Sequence, residues 1–198
     1  MQKQKRLQKT VRIMQNNRYN HMGIHFVIRR ADESDVPEIM TIMNEAKNDM
    51  AHPEWFVADD ENYIREHLQG KGYVIVAESP IGGIAGFFVV KYPEDEENLG
   101  TYLEFDREQL AHVAVMDSAV VGSVYRGNGL QEQMLEAAES LLDKEKYYYL
   151  MCTIHPDNEF SRNNMESHGY KVKKIALCYG GLPRCILLKN AKKNLKKH

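Results

Sequence analysis

The sequence predicts a single α/β domain built on a mixed, mostly antiparallel central sheet. Three observations carry this. Short β-rich runs alternate with amphipathic runs in the order β-α-α-β-β-β-α-β-α-β-β, with no internal repeat and no linker. Two pairs of strands are joined by Gly-rich turns, the mark of antiparallel hairpins. Between them, residues 111–154 read strand, glycine loop, helix, strand, and a helical crossover returns the chain parallel to where it began. At 198 residues the chain is long enough for one such domain with a real core.

The elements follow in order. IHFVIRRA (24–31) alternates and is β-rich, a first strand. DVPEIMTIMNEAKND (35–49) places Asp35 as cap, Pro37 in the first turn and Glu38 three residues after the cap. Val36, Ile39, Ile42, Met43 and Ala46 then share one helical face. DENYIREHLQG (60–70) reads as a second helix that stops near Gly70. GYVIVAES (72–79) and GIAGFFVVKY (83–92) form a hairpin across PIGG. The acidic run PEDEEN (93–98) reads as a solvated loop, and AHVAVMDSAVV (111–121) as the fourth strand. The next helix carries an apolar stripe of Leu130, Met134, Leu135, Ala138, Leu141 and Leu142. YYYLMCTI (147–154) is nearly continuously apolar, as central parallel strands are. NEFSRNNMESHGY (158–170) is a short helix stopped by Gly169, and residues 171–189 make a last hairpin over Gly180 and Gly181.

Composition and charge narrow the function classes. With 43% hydrophobic and 27% charged residues, the chain reads as an ordinary globular protein. No apolar run approaches the ~18 to 20 residues of a membrane span, and the basic N-terminus lacks the apolar segment of a secretory signal. Cys152, Cys178 and Cys185 show no ligand-like spacing and predict reduced, core-packed thiols in a cytoplasmic protein. Five histidines (His52, His67, His112, His155 and His168) show no HxxxH or HExxH spacing, so no metal site is expected. The net charge of -2 is unevenly spread. Residues 1–20 hold six Lys or Arg and residues 189–198 hold five Lys, neither with an acid. The 15 basic and 28 acidic groups left in 21–188 give that body a net of -13. Such a body argues against nucleic acid and suits a cationic substrate. Residues 1–21 read either as a flexible basic extension or as a nucleic-acid arm, and Met22 begins like a domain start. The expected domain is 22–190, with a basic tail at 191–198.

Glycines between a strand and a helix start mark an anion site, because first-turn amides lack partners and the helix dipole favours negative charge there. VYRGNGLQEQM (124–134) is such a place. A nucleoside-triphosphate loop needs a Gly-Lys-Ser/Thr that occurs nowhere in the chain. A dinucleotide fingerprint fails at Glu132. The full stretch VGSVYRGNGLQ (121–131) resembles the acyl-coenzyme A loop of the GNAT N-acetyltransferase superfamily, V-x-P-x-Y-R-G-x-G-(I/L)-G. Val121, Tyr125, Arg126, Gly127, Gly129 and Leu130 match, while Val124 and Gln131 depart. A second match follows in the family's order: in TIHPDNEFSRNNMESHGYKV, Pro156, Asn158, Ser161, Gly169 and Tyr170 align. The resemblance spans roughly residues 24–189.

That resemblance implies a fold whose fourth and fifth strands are parallel but splay apart, with acetyl-CoA as donor in the gap. It implies that Val120 and Val121 bond the pantetheine arm, that the loop Arg126, Gly127, Asn128, Gly129, Leu130 and Gln131 binds the pyrophosphate, and that Asn158 bonds the arm from the other side. The acceptor implied is a primary amine of a small molecule, amino acid or peptide; the resemblance leaves room for a homodimer and for a non-catalytic acyl-CoA-binding module. An amine of pKa near ~10 must lose a proton to attack a thioester. Asp117 is the first candidate base: an acid within AVMDSAVV is out of place in a buried strand, and alternation puts it on one face with Val121. A structural aspartate is the plain alternative, and Glu104 and His112 are the other candidate bases. Where the family commonly has a Tyr to protonate the leaving thiolate stands Met165, so Ser161 or water is the expected donor. The acceptor pocket implied is lined by Trp55, Phe56, Tyr63, Asp59, Asp60 and Arg184; these residues read equally as aromatics packing a helix on the sheet, helix-capping aspartates and a hairpin arginine.

Overall fold

The computed structural model describes residues 25–49 and 51–192. The extension expected at 1–21, the domain start at Met22 and all but the first two residues of the basic tail lie outside the described residues.

The strands are β1 (Val27–Arg30), β2 (Gly72–Glu78), β3 (Ile84–Lys91), β4 (Val113–Val121), β5 (Tyr149–Ile154), β6 (Lys171–Cys178) and β7 (Leu182–Asn190). The helices are α1 (Val36–Asp49), α2 (Glu61–Glu66), α3 (Arg107–Leu110), α4 (Leu130–Leu141) and α5 (Glu159–Ser167). Only the one-turn α3 and some short 3-10 turns are additions to the predicted order. The seven strands make one sheet in the order β1-β2-β3-β4-β5-β7-β6. Every neighbouring pair is antiparallel except β4 and β5. Among the described residues no helix is long and apolar enough to cross a membrane.

The predicted apolar faces are the buried ones. Leu130, Met134, Leu135 and Ala138 of α4 pack on Tyr73, Ile75, Phe88, Ala114 and Met116 on one side of the sheet. Val36, Ile39, Ile42 and Met43 of α1 pack on Val74, Val76, Phe87, Val89 and Val120 on the other. Fully burying a side chain of this size stabilises by about 1.5–3 kcal/mol, so the two helices are clamped onto β2–β4 before any polar contact is considered. Polar bonds then fix α4: Tyr73 donates to the Ala138 carbonyl at 2.6 Å, and Glu139 accepts from Tyr170 at 2.8 Å and Lys189 at 2.5 Å. All three cysteines are free and buried.

Two expectations about the start of α1 need correcting. Asp35 does not cap α1; its carboxylate takes both Arg29 guanidinium nitrogens (2.7 and 2.8 Å) and the Asp32 amide (2.8 Å). Asp32 is the cap, opening a 3-10 turn that feeds into α1. Glu38 reaches across to the Ile84 amide at 2.9 Å, anchoring the β2–β3 turn.

One irregularity shapes everything downstream. Phe88 of β3 pairs with Ala119 of β4 and Val90 pairs with Met116, so Asp117 and Ser118 both stand opposite Val89. That is a β-bulge. It shifts the side-chain phase of β4 by one residue. Ala114 and Met116 face α4 before it, and Ala119 and Val121 pack toward α4 after it. Asp117 bonds Tyr63 of α2 on the opposite side, where Val120 also packs. Asp117 and Val121 therefore do not share a face, because the alternation that predicted it is broken between them.

Candidate active site

β4 and β5 pair only through Val113–Tyr149, Ala114–Leu150 and Val115–Met151. Beyond that, β4 continues for six residues and β5 for three without bonding each other. The gap opens into a cleft of about 870 Å³. Val120, Val121, Arg126, Gln131, Asn158, Ser161 and Asp117 all line it. The Gly122 amide donates to Ala85 of β3, and with the two-residue period of an antiparallel ladder Val120 also turns its backbone to β3. Ala119 and Val121 are left to present their amides and carbonyls to the gap, the edge an extended ligand can join.

The glycine loop closes one end of the cleft. Gly127 and Gly129 hold φ of +80° and +68°, backbone that other L-residues adopt at a cost. A Cβ at Gly127 would meet nothing within 4 Å, so the angle, not crowding, calls for glycine there. Gly129 stands at the cap position of α4 and offers no side-chain acceptor, so the amides of the first turn await an external one. Asn128 and Leu130 turn their side chains inward. The Asn128 amide nitrogen donates to the Tyr125 carbonyl at 2.9 Å, holding the loop closed, and Leu130 is core. What they can offer a phosphate is main chain. Arg126 is exposed on the cleft wall. Across the gap, the Asn158 carbonyl oxygen caps α5 through the Ser161 amide (3.1 Å), and its amide nitrogen has no partner among the described residues.

At the other end the bulge sets two carboxylates side by side. Asp117 accepts from the Tyr63 phenol. Ser118 donates to Asp59 at 2.5 Å. Burial pushes the Asp117 carboxyl above the usual carboxylate range, against the lowering effect of the Tyr63 hydrogen bond. Burial raises Asp59 to about 6, with Ser118 opposing and the Asp117 charge adding to the rise. Tyr63 is held protonated by burial, and then by Asp117, so it meets that carboxylate as a donor and does not act as a base. The Tyr63 ring lies against His67 with the planes tilted by 39° and centroids 4.1 Å apart, and Lys91 lies 5.7 Å from the Tyr63 ring centroid on its way to an ion pair with Glu97.

The remaining sequence candidates separate cleanly. Asp60 caps α2 through the Tyr63 amide at 2.8 Å, as the plain reading had it; Asp59 does not cap and lines the cleft. Trp55 lines the cleft, stacked on His52 (4.3 Å) and near His155 (5.9 Å), and does not pack a helix on the sheet. Arg184 is buried, its two terminal nitrogens donating to the Pro183 and Glu54 carbonyls. Glu104 sits in a left-handed turn and His112 bonds the Lys146 carbonyl at 2.6 Å; neither lines the cleft. Met165 is buried on the cleft wall, and its thioether has no proton to give. Tyr179, which sequence reasoning missed, lines the cleft with its hydroxyl 2.9 Å from Thr153 of β5 and burial raising it to about 12. Only its place in the Gly-rich β6–β7 turn hinted at it. Glu132, Glu136 and His168 bring three ligand-type atoms within 4.8 Å of one another, a grouping across two helices that linear spacing conceals. A His168–Glu132 contact of 3.4 Å accounts for it.

A family model for the acetyltransferase (GNAT) family matches residues 36–170. No curated protein matches the sequence. Among solved structures, yncA from Salmonella typhimurium, with its cofactor acetyl-CoA, is similar at a TM-score of 0.65 and 18% identity, over 88% of this chain and 96% of its own. A ribosomal-protein-alanine N-acetyltransferase from Brucella melitensis gives 0.63 and 20%, over 83% and 98%. Naa20 from Chaetomium thermophilum, in complex with a bisubstrate analogue, gives 0.64 and 18%, over 86% and 90%.

Proposed function

The chain belongs to the acetyltransferase (GNAT) family, and from that premise we propose that it transfers the acetyl group of acetyl-CoA to a primary amine by direct attack on the thioester. The observation that carries this is the continuity of one cleft, from the bare amides before α4, through the β4–β5 gap, to the Asp117 carboxylate. In this reading the first-turn amides of α4 and Arg126 hold the diphosphate. The backbone at Ala119 and Val121 and the Asn158 amide hold the pantetheine arm, while Val120 forms the wall behind it. Bound there, acetyl-CoA supplies the carbonyl carbon that the amine attacks. Asp117 takes the proton that the attacking nitrogen loses, a task suited to a carboxyl raised by burial. Tyr63 fixes the orientation of that carboxyl. Ser161 stands one helical turn before Met165 on the cleft-facing side of α5 and relays a proton from solvent water to the sulfur as the C–S bond breaks, its own hydroxyl proton being replaced from that water.

Incubation with acetyl-CoA and a panel of amines, following free thiol and product mass, tests the reading. Asp117→Asn is expected to lower kcat by about 10²- to 10⁴-fold while calorimetry shows CoA binding intact. The buried Met165 favours one second reading, a non-catalytic acyl-CoA-binding module. CoA binding with no thiol released against any amine would establish that module in place of the enzyme.

A further inference from the structure

The acceptor end of the cleft has a one-sided charge inventory. Asp49, Glu96 and Glu97 line the cleft together with Asp59 and Asp117. Among the described residues, Lys91 and Arg184 line the cleft besides Arg126 of the glycine loop, and both are engaged. Lys91 is paired with Glu97, and Arg184 spends its terminal nitrogens on two backbone carbonyls. Asp49 and Glu96 have no cation partner among the described residues. The walls between these carboxylates are aromatic: Trp55, Phe56, Tyr63, Tyr102 and Tyr179. Aromatic faces attract ammonium groups, and more so where water is thinned.

An acceptor with a carboxylate beside its amine would find no free cation among the described residues here. Binding it would require breaking the Lys91–Glu97 pair or pulling Arg184 off the chain, and would bring its charge against five acids. An acceptor with a second ammonium meets the opposite situation. One nitrogen reaches Asp117 and is deprotonated; the other keeps its charge among the aromatic rings and the unpaired acids. We infer that the acceptor is a small diamine or polyamine, recognised by the carboxylates of Asp49 and Glu96 at the cleft mouth and excluded as an amino acid for want of a free cation. This rests on the acetyl-transfer reading above. It goes beyond it by naming the charge pattern of the acceptor.

Three amines of one chain length isolate the two groups at issue. 1,5-Diaminopentane and lysine differ only by the carboxylate; 1,5-diaminopentane and pentylamine differ only by the second ammonium. With saturating acetyl-CoA, kcat/KM for the diamine is expected to exceed that of each of the others by about tenfold or more, the scale of one or two ion-pair and cation–π contacts. The Asp49→Asn/Glu96→Gln double variant is expected to raise KM for the diamine at least about fivefold more than KM for pentylamine, and added salt should shrink the preference. Equal or better kcat/KM for pentylamine, lysine or a C-terminally amidated peptide with a free α-amine would overturn this inference and leave acetyl transfer standing. CoA release with none of the amines, in protein shown by calorimetry to bind acetyl-CoA, would overturn the transferase reading, and the inference would fall with it.

Discussion

Tyr63→Phe separates the roles proposed for Asp117 and its neighbour with one oxygen atom. In the folded protein the Asp117 carboxyl is pulled two ways: burial raises its pKa, and the Tyr63 hydrogen bond lowers it. Phenylalanine keeps the ring on His67 and removes the donor. A hydrogen bond to a charged group contributes about 1.5–3 kcal/mol. At about 1.36 kcal/mol per pKa unit, the ionised carboxylate loses stabilisation equivalent to roughly one to two units, so the Asp117 pKa should climb by that amount. If Asp117 is the base, the acid limb of kcat/KM against pH moves up by the same interval, while the rate on the plateau above it changes little. Stability gives a second readout. A carboxyl whose folded pKa lies above its unfolded value contributes stability that is fully present below the unfolded pKa and is lost as pH rises through the folded one. The variant's deficit against the wild type should therefore be smallest near pH 4 and grow toward neutrality, measured by urea unfolding at several pH values. An acid limb that stays within a few tenths of a unit, in folded protein that binds acetyl-CoA normally, would refute the assignment of Asp117 as the base under Tyr63's control.

Other perturbations follow from single observations. Gly127→Ala has room for its Cβ but must hold φ near +80°, so about 1–2 kcal/mol of backbone strain should lower stability by that amount in urea unfolding where the loop keeps its shape, or weaken CoA binding by roughly 5- to 30-fold in calorimetry where the loop relaxes. Gly86→Ala would put a Cβ 2.7 Å from the Val120 carbonyl and 3.2 Å from the Met134 methyl, so it should destabilise by about 1–3 kcal/mol in urea unfolding. Asp59→Asn should flatten the decline of stability as pH rises through about 6, because the wild-type carboxyl is raised from 3.8 to about 6 and holds its proton more tightly folded than unfolded. Ser161→Ala should lower kcat without weakening CoA binding, since the Ser161 amide that donates to the Asn158 cap of α5 is kept.

Most of the fold was legible because helices and strands announce themselves by period. The faces of α1 and α4 could be read residue by residue, and the glycine loop was visible because glycine marks a backbone need that no other residue reveals so directly. The start of α1 misled because two acids compete there. Asp32 and Asp35 each satisfy local cap rules, and only the arrival of Arg29 from the neighbouring strand decides which one caps. Asp59 and Asp60 pose the same problem. Either can cap α2 by spacing, and it is the position of Ser118, 59 residues away in sequence, that draws Asp59 into the cleft. Tyr179 and Tyr63 were visible as aromatics, but their hydroxyl partners belong to other elements, which no local pattern encodes.

The bulge at Asp117 and Ser118 explains why the gap and the acids occur together. A regular β4 would alternate past Met116, sending Asp117 toward α2 and Ser118 back toward α4. It would also keep a ladder that β5 could follow. One extra residue opposite Val89 changes both outcomes. A bulge bends and twists its strand locally, and the β4–β5 ladder stops at Val115–Met151, two residues before it. The same insertion turns two consecutive side chains to the α2 side, where Tyr63 and Asp59 receive them. The opening that admits an extended ligand and the carboxyls at its end are thus consequences of one residue of register. Deleting Ser118 should leave Asp117 alone opposite Val89, restore a regular alternation with Val120 and Val121 on their present faces, let the β4–β5 ladder run on past Val115–Met151, and abolish CoA binding even if the sheet still forms.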